Sequence, residues 1–301
     1  MRSFTAAAVQ LAPVAGPLTE QTIKSNVDKC VSMVERCVAD TGAELVVLPE
    51  TASTGFTPGM AAEDLYGLLD AVPGALTAPI QDVAGRLGVH VVYGTYEQGP
   101  VAGTVYNTAV LIGPYGDVLA AYRKSHLFAG ECVADGGWVT PGAEAVVVPT
   151  DLGSIGLMIC FDGDYPELAR VMAVRGAEVI CRPSALLRSA DLWELTTRAR
   201  AYDNHVFVVA ANATGTDPAG LHYFGNSMVV TPIGEVVARA ASHEGWVSAR
   251  LDPETALRSL TPGSNVPQRF DHLADRNLEF IKAHLDELAA PAHTPFPHGR
   301  P

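Results

Sequence analysis

Val229-Val230-Thr231-Pro232-Ile233-Gly234-Glu235-Val236-Val237-Ala238 follows the same plan as Leu111-Ile112-Gly113-Pro114-Tyr115-Gly116-Asp117-Val118-Leu119-Ala120, at an offset of 118 residues. Each stretch is an apolar run, a Pro-x-Gly turn closed by an acid, and a second apolar run. Pro presets φ for the turn and Gly accepts the positive φ that follows, so each stretch reads as a hairpin. One such match arises easily by chance, because this turn chemistry is common. The segments leading into the two hairpins also match, and that makes a duplicated plan the better reading.

Ahead of the first hairpin, Ile23, Val27, Cys30, Val31, Val34 and Val38 recur at helical spacing within residues 20–39. Residues 44–49 form a continuous apolar run, as expected of a strand buried on both faces. A helix over 77–87 and a strand over 89–93 then lead to hairpin arms at 107–112 and 118–122. The second half runs strand 154–160, helix 166–175, strand 178–181, helix 190–204 and strand 206–211 before its own hairpin. Two strand–helix–strand halves predict an α/β fold of two sheets packed face to face, with helices outside. No Gly/Ser linker divides them, so residues 1–252 read as one domain. Residues 253–301 read as a tail, with helices over 253–260 and 271–288 and a Pro- and His-rich end over 291–301.

Of the 301 residues, 48% are hydrophobic and 18% charged, an ordinary globular balance. The net charge of −13 repels phosphate backbones and anionic lipid, so neither a nucleic-acid nor a membrane partner is expected. No run approaches the ~18 apolar residues of a membrane span. The opening run, residues 1–10, soon meets Gln10 and Pro13 and reads as a buried first strand rather than a signal peptide. Cys30, Cys37, Cys132, Cys160 and Cys181 are odd in number and lack short paired spacings. They suggest neither a disulfide framework nor a zinc site, and they suit a reducing, cytoplasmic setting.

Three ionisable residues sit where a predicted strand runs out, which is where α/β proteins place reactive groups. Leu45-Val46-Val47-Leu48-Pro49-Glu50 ends in a carboxylate, and Tyr122-Arg123-Lys124-Ser125-His126-Leu127 presents an ammonium. Leu157-Met158-Ile159-Cys160-Phe161-Asp162-Gly163-Asp164-Tyr165-Pro166-Glu167 presents a thiol on a strand–turn–helix. Singly, each has an ordinary explanation: Glu50 as a solvated loop acid, Lys124 as the guard of a strand edge, Cys160 as an inert buried thiol. Together they supply what a thiol nucleophile needs. A free thiol of pKa ~8.5 carries little thiolate at neutral pH, so it needs a base or a nearby cation. The tetrahedral intermediate also needs a positive donor for its oxyanion, worth ~3 kcal/mol.

In this order and spacing the three segments resemble the nitrilase, or carbon–nitrogen hydrolase, superfamily. The likeness extends from Thr5-Ala6-Ala7-Ala8-Val9-Gln10 through Asp271-His272-Leu273-Ala274-Asp275-Arg276-Asn277. It implies a four-layer α-β-β-α sandwich with an internal pseudo-two-fold repeat. It also implies hydrolysis of a non-peptide carbon–nitrogen bond in a small amide. Glu50 then takes the thiol proton, Cys160 attacks the substrate carbon and ammonia leaves. Water hydrolyses the resulting thioester, with Lys124 and the N–H of Phe161 holding the oxyanion. The family places a second glutamate shortly after the lysine. Glu131, in Leu127-Phe128-Ala129-Gly130-Glu131, matches it, with Glu144 as the fallback and a solvated loop acid as the plain alternative. The resemblance implies no metal or organic cofactor, and a homodimer or larger homo-oligomer.

Departures from the family pattern bear on the substrate. True nitrilases carry Trp-Glu after the nucleophile where this chain has Phe161-Asp162, which points to amides over nitriles. N-carbamoyl-D-amino-acid hydrolases carry an Arg pair where Gly163 and Asp164 stand, so that carboxylate clamp is missing. Lys124-Ser125-His126 also resembles carbamoyl-polyamine hydrolases, and Asp164 would suit a cationic substrate, unless it caps the helix beginning at Pro166. An N-carbamoyl amine hydrolase, giving ammonia, CO2 and an amine, is therefore the alternative. Phe56, Trp138, Ser184 and Ala185 are the candidate pocket residues, although Phe56 and Trp138 read equally well as core.

Two readings from other classes compete. Phe161-Asp162-Gly163-Asp164 superficially resembles the nucleophile motif of Mg²⁺-dependent phosphatases, yet it lies mid-chain and leaves Glu50 and Lys124 unexplained. A non-catalytic binding scaffold is the other, and the complete set of Glu50, Lys124 and Cys160 argues against it.

Overall fold

The computed structural model describes residues 1–14, 16–217, 220–254 and 271–291. Strand β1 (Phe4–Gln10) shows how the layers stack. Its Ala6 and Ala8 join one core cluster and its Ala7 and Val9 another, so both faces are buried. Helix α1 (Glu20–Thr41), strand β2 (Leu45–Val47), helices α2 (Ala62–Gly67) and α3 (Ala78–Leu87) and strand β3 (His90–Gln98) come next in order. The hairpin β4 (Val105–Ile112) and β5 (Val118–Arg123) follows. Helix α1 begins on a reciprocal Thr19–Thr22 capping box and ends at Gly42, whose φ of 64° only glycine adopts readily. Its Val27, Cys30 and Val34 pack with Ile80 and Val83 of α3 on the outer face of this sheet.

The second half runs β6 (Val146–Pro149), β7 (Ser154–Leu157), α4 (Pro166–Val174), β8 (Val179–Ser184), α5 (Ala190–Asn204) and β9 (Phe207–Asn212). A small pair, β10 (Thr214–Thr216) and β11 (His222–Phe224), precedes the hairpin β12 (Met228–Val230) and β13 (Val236–Arg239) and the strand β14 (Gly245–Leu251). The two six-stranded sheets are ordered β14-β1-β2-β3-β4-β5 and β13-β12-β9-β8-β7-β6. Ala6, Leu45, Val47 and Leu111 of the first share one apolar cluster with Leu157, Ile180 and Val208 of the second. Leu168 and Met172 of α4 and Trp193 of α5 belong to the same cluster. The expected α/β sandwich is thus observed, with mixed sheets and flanking helices.

The repeat is deeper than the two turns. β1, β2 and β3 are parallel, as are β7, β8 and β9, and each trio is continued by two antiparallel strands. Both hairpins change register at matching positions, Leu111/Ile112 in one and Val229/Val230 in the other. Each half also passes a strand to the other sheet. β6, which follows the first hairpin, pairs antiparallel with β7, and β14, which follows the second, pairs antiparallel with β1. This exchange was not foreseen, because β6 is short and neither strand sits in a strand–helix unit.

The helix expected over 271–288 is two short ones, α6 (Leu278–Ala283) and α7 (Leu285–Ala289), after a turn at 272–275. The helix expected over 253–260 and the Pro- and His-rich end lie almost wholly outside the described residues. No helix among the described residues is long and apolar enough to cross a membrane.

Candidate active site

Glu50 lies just beyond β2 in the first sheet and Ala185 just beyond β8 in the second, and the two ends are bonded together. Glu50 N–H donates to Ser184 O at 3.4 Å, and Ala185 N–H donates to Glu50 Oε2 at 2.7 Å. Gly94 of β3 leaves room for the Pro49–Glu50 backbone, because a Cβ there would sit 2.3 Å from Pro49 O and 2.7 Å from Glu50 Cα. Lys124 follows β5 directly, and its side chain is wholly buried rather than guarding an edge. Its Nζ donates to Glu50 Oε1 and to Glu131 Oε2, both at 2.8 Å. Glu131 is buried, whereas the fallback Glu144 is exposed.

Asn107, on the neighbouring strand β4, was missed in the sequence. Its Nδ2 donates to Glu50 Oε1 and Glu131 Oε1, each at 2.7 Å, and so fixes the spacing of the two carboxylates. A polar residue inside the apolar run of β4 was the available signal. Counting donors and acceptors among the described residues is instructive. Lys124 has spent two of its three N–H groups. Glu50 Oε1 accepts twice and Oε2 once, which leaves one acceptor position on Oε2.

Cys160 does not end a strand, as the sequence suggested. β7 stops at Leu157, and Cys160 opens a tight turn, Cys160–Asp164, at a φ of 44° that non-glycine residues seldom adopt. Two buried groups hold that turn. Asp162 Oδ2 accepts from Ile159 N–H and Tyr122 O–H, while Oδ1 accepts from His126 N–H, tying the nucleophile's turn to the segment after Lys124. Arg182 of β8 donates from Nε and Nη2 to the Cys160 carbonyl at 3.0 and 2.7 Å. With its oxygens so engaged, Asp162 does not present the paired carboxylates of the phosphatase reading. Asp164 does not cap α4, whose N-cap position is Tyr165; it pairs with Arg188 Nη2 at 2.5 Å. That ion pair also removes the reason for expecting a cationic substrate.

Burial pushes the Cys160 thiol well up, and the Glu50 charge adds to the rise, against the opposing pull of Lys124 and Arg182. The resting thiol therefore keeps its proton at neutral pH. Burial also opposes the charge on Lys124, but Glu131 and Glu50 outweigh it and hold the ammonium well above its ordinary value. Glu131 is raised by burial and by Glu50, more than Lys124 and Asn107 lower it.

A narrow pocket opens on Cys160, lined also by Phe56, Phe128, Phe161, Ala185, Leu186, Leu187 and Arg188. Of the four expected pocket residues, Phe56 and Ala185 are in its wall, and so is Phe161, expected there as the oxyanion's N–H donor. Trp138 packs against the Phe56 ring at 6.2 Å, one layer back. Ser184 is buried, with its Oγ on Arg182 O, and contributes backbone only. Phe128, Leu186, Leu187 and Arg188 were not foreseen, since loop residues reveal their direction only once folded.

The family model for Carbon-nitrogen hydrolase matches residues 5–258. The chain belongs to this family. The hydrolase is 34% identical over 260 residues to omega-amidase NIT2 of Homo sapiens, covering 84% of this chain and 90% of that protein. Its structure resembles that of an amidase from Nesterenkonia sp., with a TM-score of 0.75 and 26% identity over 93% of this chain and 95% of the other. A glutamate-to-glutamine mutant of the Nesterenkonia sp. AN1 amidase is equally similar, at TM-score 0.75 and 25% identity over 93% and 96%. That structure shows the acetamide moiety of fluoroacetamide added covalently at the active-site cysteine. The hydrolase thus acts on carbon–nitrogen bonds other than peptide bonds, on the amidase side of its family.

Proposed function

We propose that the hydrolase releases ammonia from a short primary amide through a thioester on Cys160. In this reading Glu50 is the base, Lys124 the oxyanion donor, and Glu131 the group that holds Lys124. The observation that carries it is the unspent hydrogen-bonding capacity of the two groups whose charges act on the thiol: one N–H on Lys124 and one acceptor position on Glu50 Oε2. Because the thiol is protonated at rest, its proton passes to Oε2 as sulfur attacks the amide carbon. The carbonyl oxygen takes the free Lys124 N–H, joined by the N–H of Phe161. Glu50 returns the proton to the departing nitrogen, and ammonia leaves. Water then takes its place and repeats the cycle on the thioester, releasing a carboxylic acid. Burying one ammonium with two carboxylates costs several kcal/mol, an arrangement that stability alone does not favour.

The pocket narrows the amide. Arg188 is the one charged side chain among its described lining residues. Its guanidinium lies 5.2 Å over the Phe161 ring and gives a single close bond to Asp164. With five N–H donors, it retains capacity for a carboxylate. The omega-amidase name of the human relative agrees with a substrate whose amide lies at the end remote from an acid. The substrate class is then a monoamide of a short dicarboxylic acid. The test compares such monoamides with propionamide and butyramide, in wild type and Arg188→Gln, reading ammonia and acid. Expected is a loss of about tenfold or more in kcat/KM for the anionic amides only. Equal losses for both classes, or release of CO2 and an amine, contradict the reading.

We also propose a homodimer through α4 and α5. Val171 and Val174 of α4 and Leu192, Leu195 and Tyr202 of α5 are exposed, an apolar set that pairing of two copies covers. The five cysteines are all free, which suits a reducing, cytoplasmic setting.

A further inference from the structure

Thr51 is anomalous on three counts. It is β-branched yet held at a φ of 45°, a conformation such residues adopt only when their surroundings impose it. Its side chain is wholly buried. Its Oγ1 has no hydrogen-bond partner among the described residues. A buried hydroxyl without a partner is costly, and a valine of the same shape avoids that cost. The residue also lines a narrow cavity bounded by Glu50, Phe56, Ala185, Ala213 and Tyr223. This cavity adjoins the substrate pocket, with which it shares Phe56 and Ala185. The hydroxyl of Tyr223 is already committed to Asp217 Oδ2 at 2.9 Å. Among the side chains of these walls, the Thr51 hydroxyl is unpartnered and Glu50 Oε2 keeps an open acceptor position.

Hydrolysis of the thioester needs a water in that place. Its proton must point to Glu50 and its lone pair to the acyl carbon, and an ordered buried water takes two to four polar partners. We propose that the Thr51 hydroxyl and Glu50 Oε2 together hold the water that hydrolyses the Cys160 acyl-enzyme. The water oxygen bonds to the acyl carbon while its proton passes to Glu50. Collapse of the intermediate breaks the carbon–sulfur bond, the sulfur recovers the proton from Glu50, and the carboxylic acid leaves. Acylation does not use this water, so Thr51 acts on the second half-reaction alone.

This inference rests on the amide hydrolysis proposed above, and a first-turnover burst of ammonia from wild type checks that reading separately. Thr51→Val is then compared with Thr51→Ser, following the burst, the steady-state rate, the mass of Cys160 at steady state, and partition of the acyl group between water and added hydroxylamine. Expected for Thr51→Val is a burst rate within about twofold of wild type and a steady-state rate at least about tenfold lower. Acylated Cys160 accumulates, and hydroxamate is favoured over acid. Thr51→Ser keeps the hydroxyl and restores deacylation. Unchanged partition in Thr51→Val, or equal slowing of burst and steady state, overturns the proposal. A high-resolution crystal structure of wild type gives a test independent of any variant's folding. A water within hydrogen-bond distance of both Thr51 Oγ1 and Glu50 Oε2 is required, and its absence contradicts the assignment.

Discussion

The Lys124 ammonium and Oε1 of Glu50 lie 2.8 Å apart, with both side chains wholly out of water. Glu131 takes a second Lys124 N–H at the same distance. Lys124 therefore carries two duties, neutralising a buried acidic pair and offering its remaining N–H to an oxyanion.

Replacing Lys124 by Met separates those duties. Loss of an oxyanion donor lowers kcat by about 10²–10³. Leaving two buried carboxylates without their cation lowers stability by about 3–5 kcal/mol. Steady-state ammonia release and denaturant unfolding read the two effects. A variant as stable as wild type shows that the carboxylates do not depend on Lys124 for their charge balance. A variant of near-normal rate removes Lys124 from the chemistry.

Acid pH should switch the enzyme off before an ordinary carboxylate titrates. Burial and Glu50 raise Glu131 above the ordinary carboxylate range, while Lys124 and Asn107 pull it back only in part. The folded chain thus binds a proton in a window above the ordinary carboxylate range, where the unfolded chain does not. This group's contribution to stability is therefore lost as pH rises through that window. Activity goes the other way, since protonation uncharges the partner of Lys124. The acid limb of kcat/KM therefore lies at higher pH than an ordinary carboxylate gives. Asn107→Leu, by removing the bond that lowers Glu131, moves the limb to higher pH. A limb that stays in place excludes Glu131 as its source.

Gly163 is held to glycine by Arg182. A Cβ there would lie 2.1 Å from the guanidinium carbon, and Arg182 is buried, bonded to the Cys160 carbonyl and to Thr197, and stacked 4.8 Å over Trp193. Gly163→Ala should cost about 1–3 kcal/mol in overpacking and lower kcat by displacing the nucleophile's turn. Thermal unfolding and a rate assay check both, and unchanged melting contradicts the packing described.

The fold was legible where period and turn chemistry speak locally. Residues 190–204 were read as a helix to the residue, and the duplicated hairpin foretold two equivalent sheets. The exchange of β6 and β14 was not legible, because pairing between distant strands leaves no local pattern. Cys160, Glu50, Lys124 and Glu131 were found through their motifs, and folding brings Glu50, Lys124 and Glu131 into direct contact. Asn107, Arg182 and Arg188 escaped notice for one shared reason. Each acts through a direction set by tertiary packing: Asn107 across β4, Arg182 beneath the nucleophile, Arg188 back toward Asp164.

The central claim is that Cys160 carries the acyl group. Wild type and Cys160→Ala are mixed with a short primary amide, quenched in acid during turnover, digested and weighed by mass spectrometry. The expected result is an acyl adduct on the peptide containing Cys160 in wild type, with ammonia release lost in the variant. Ammonia release that persists in Cys160→Ala, or an adduct on another residue, contradicts it.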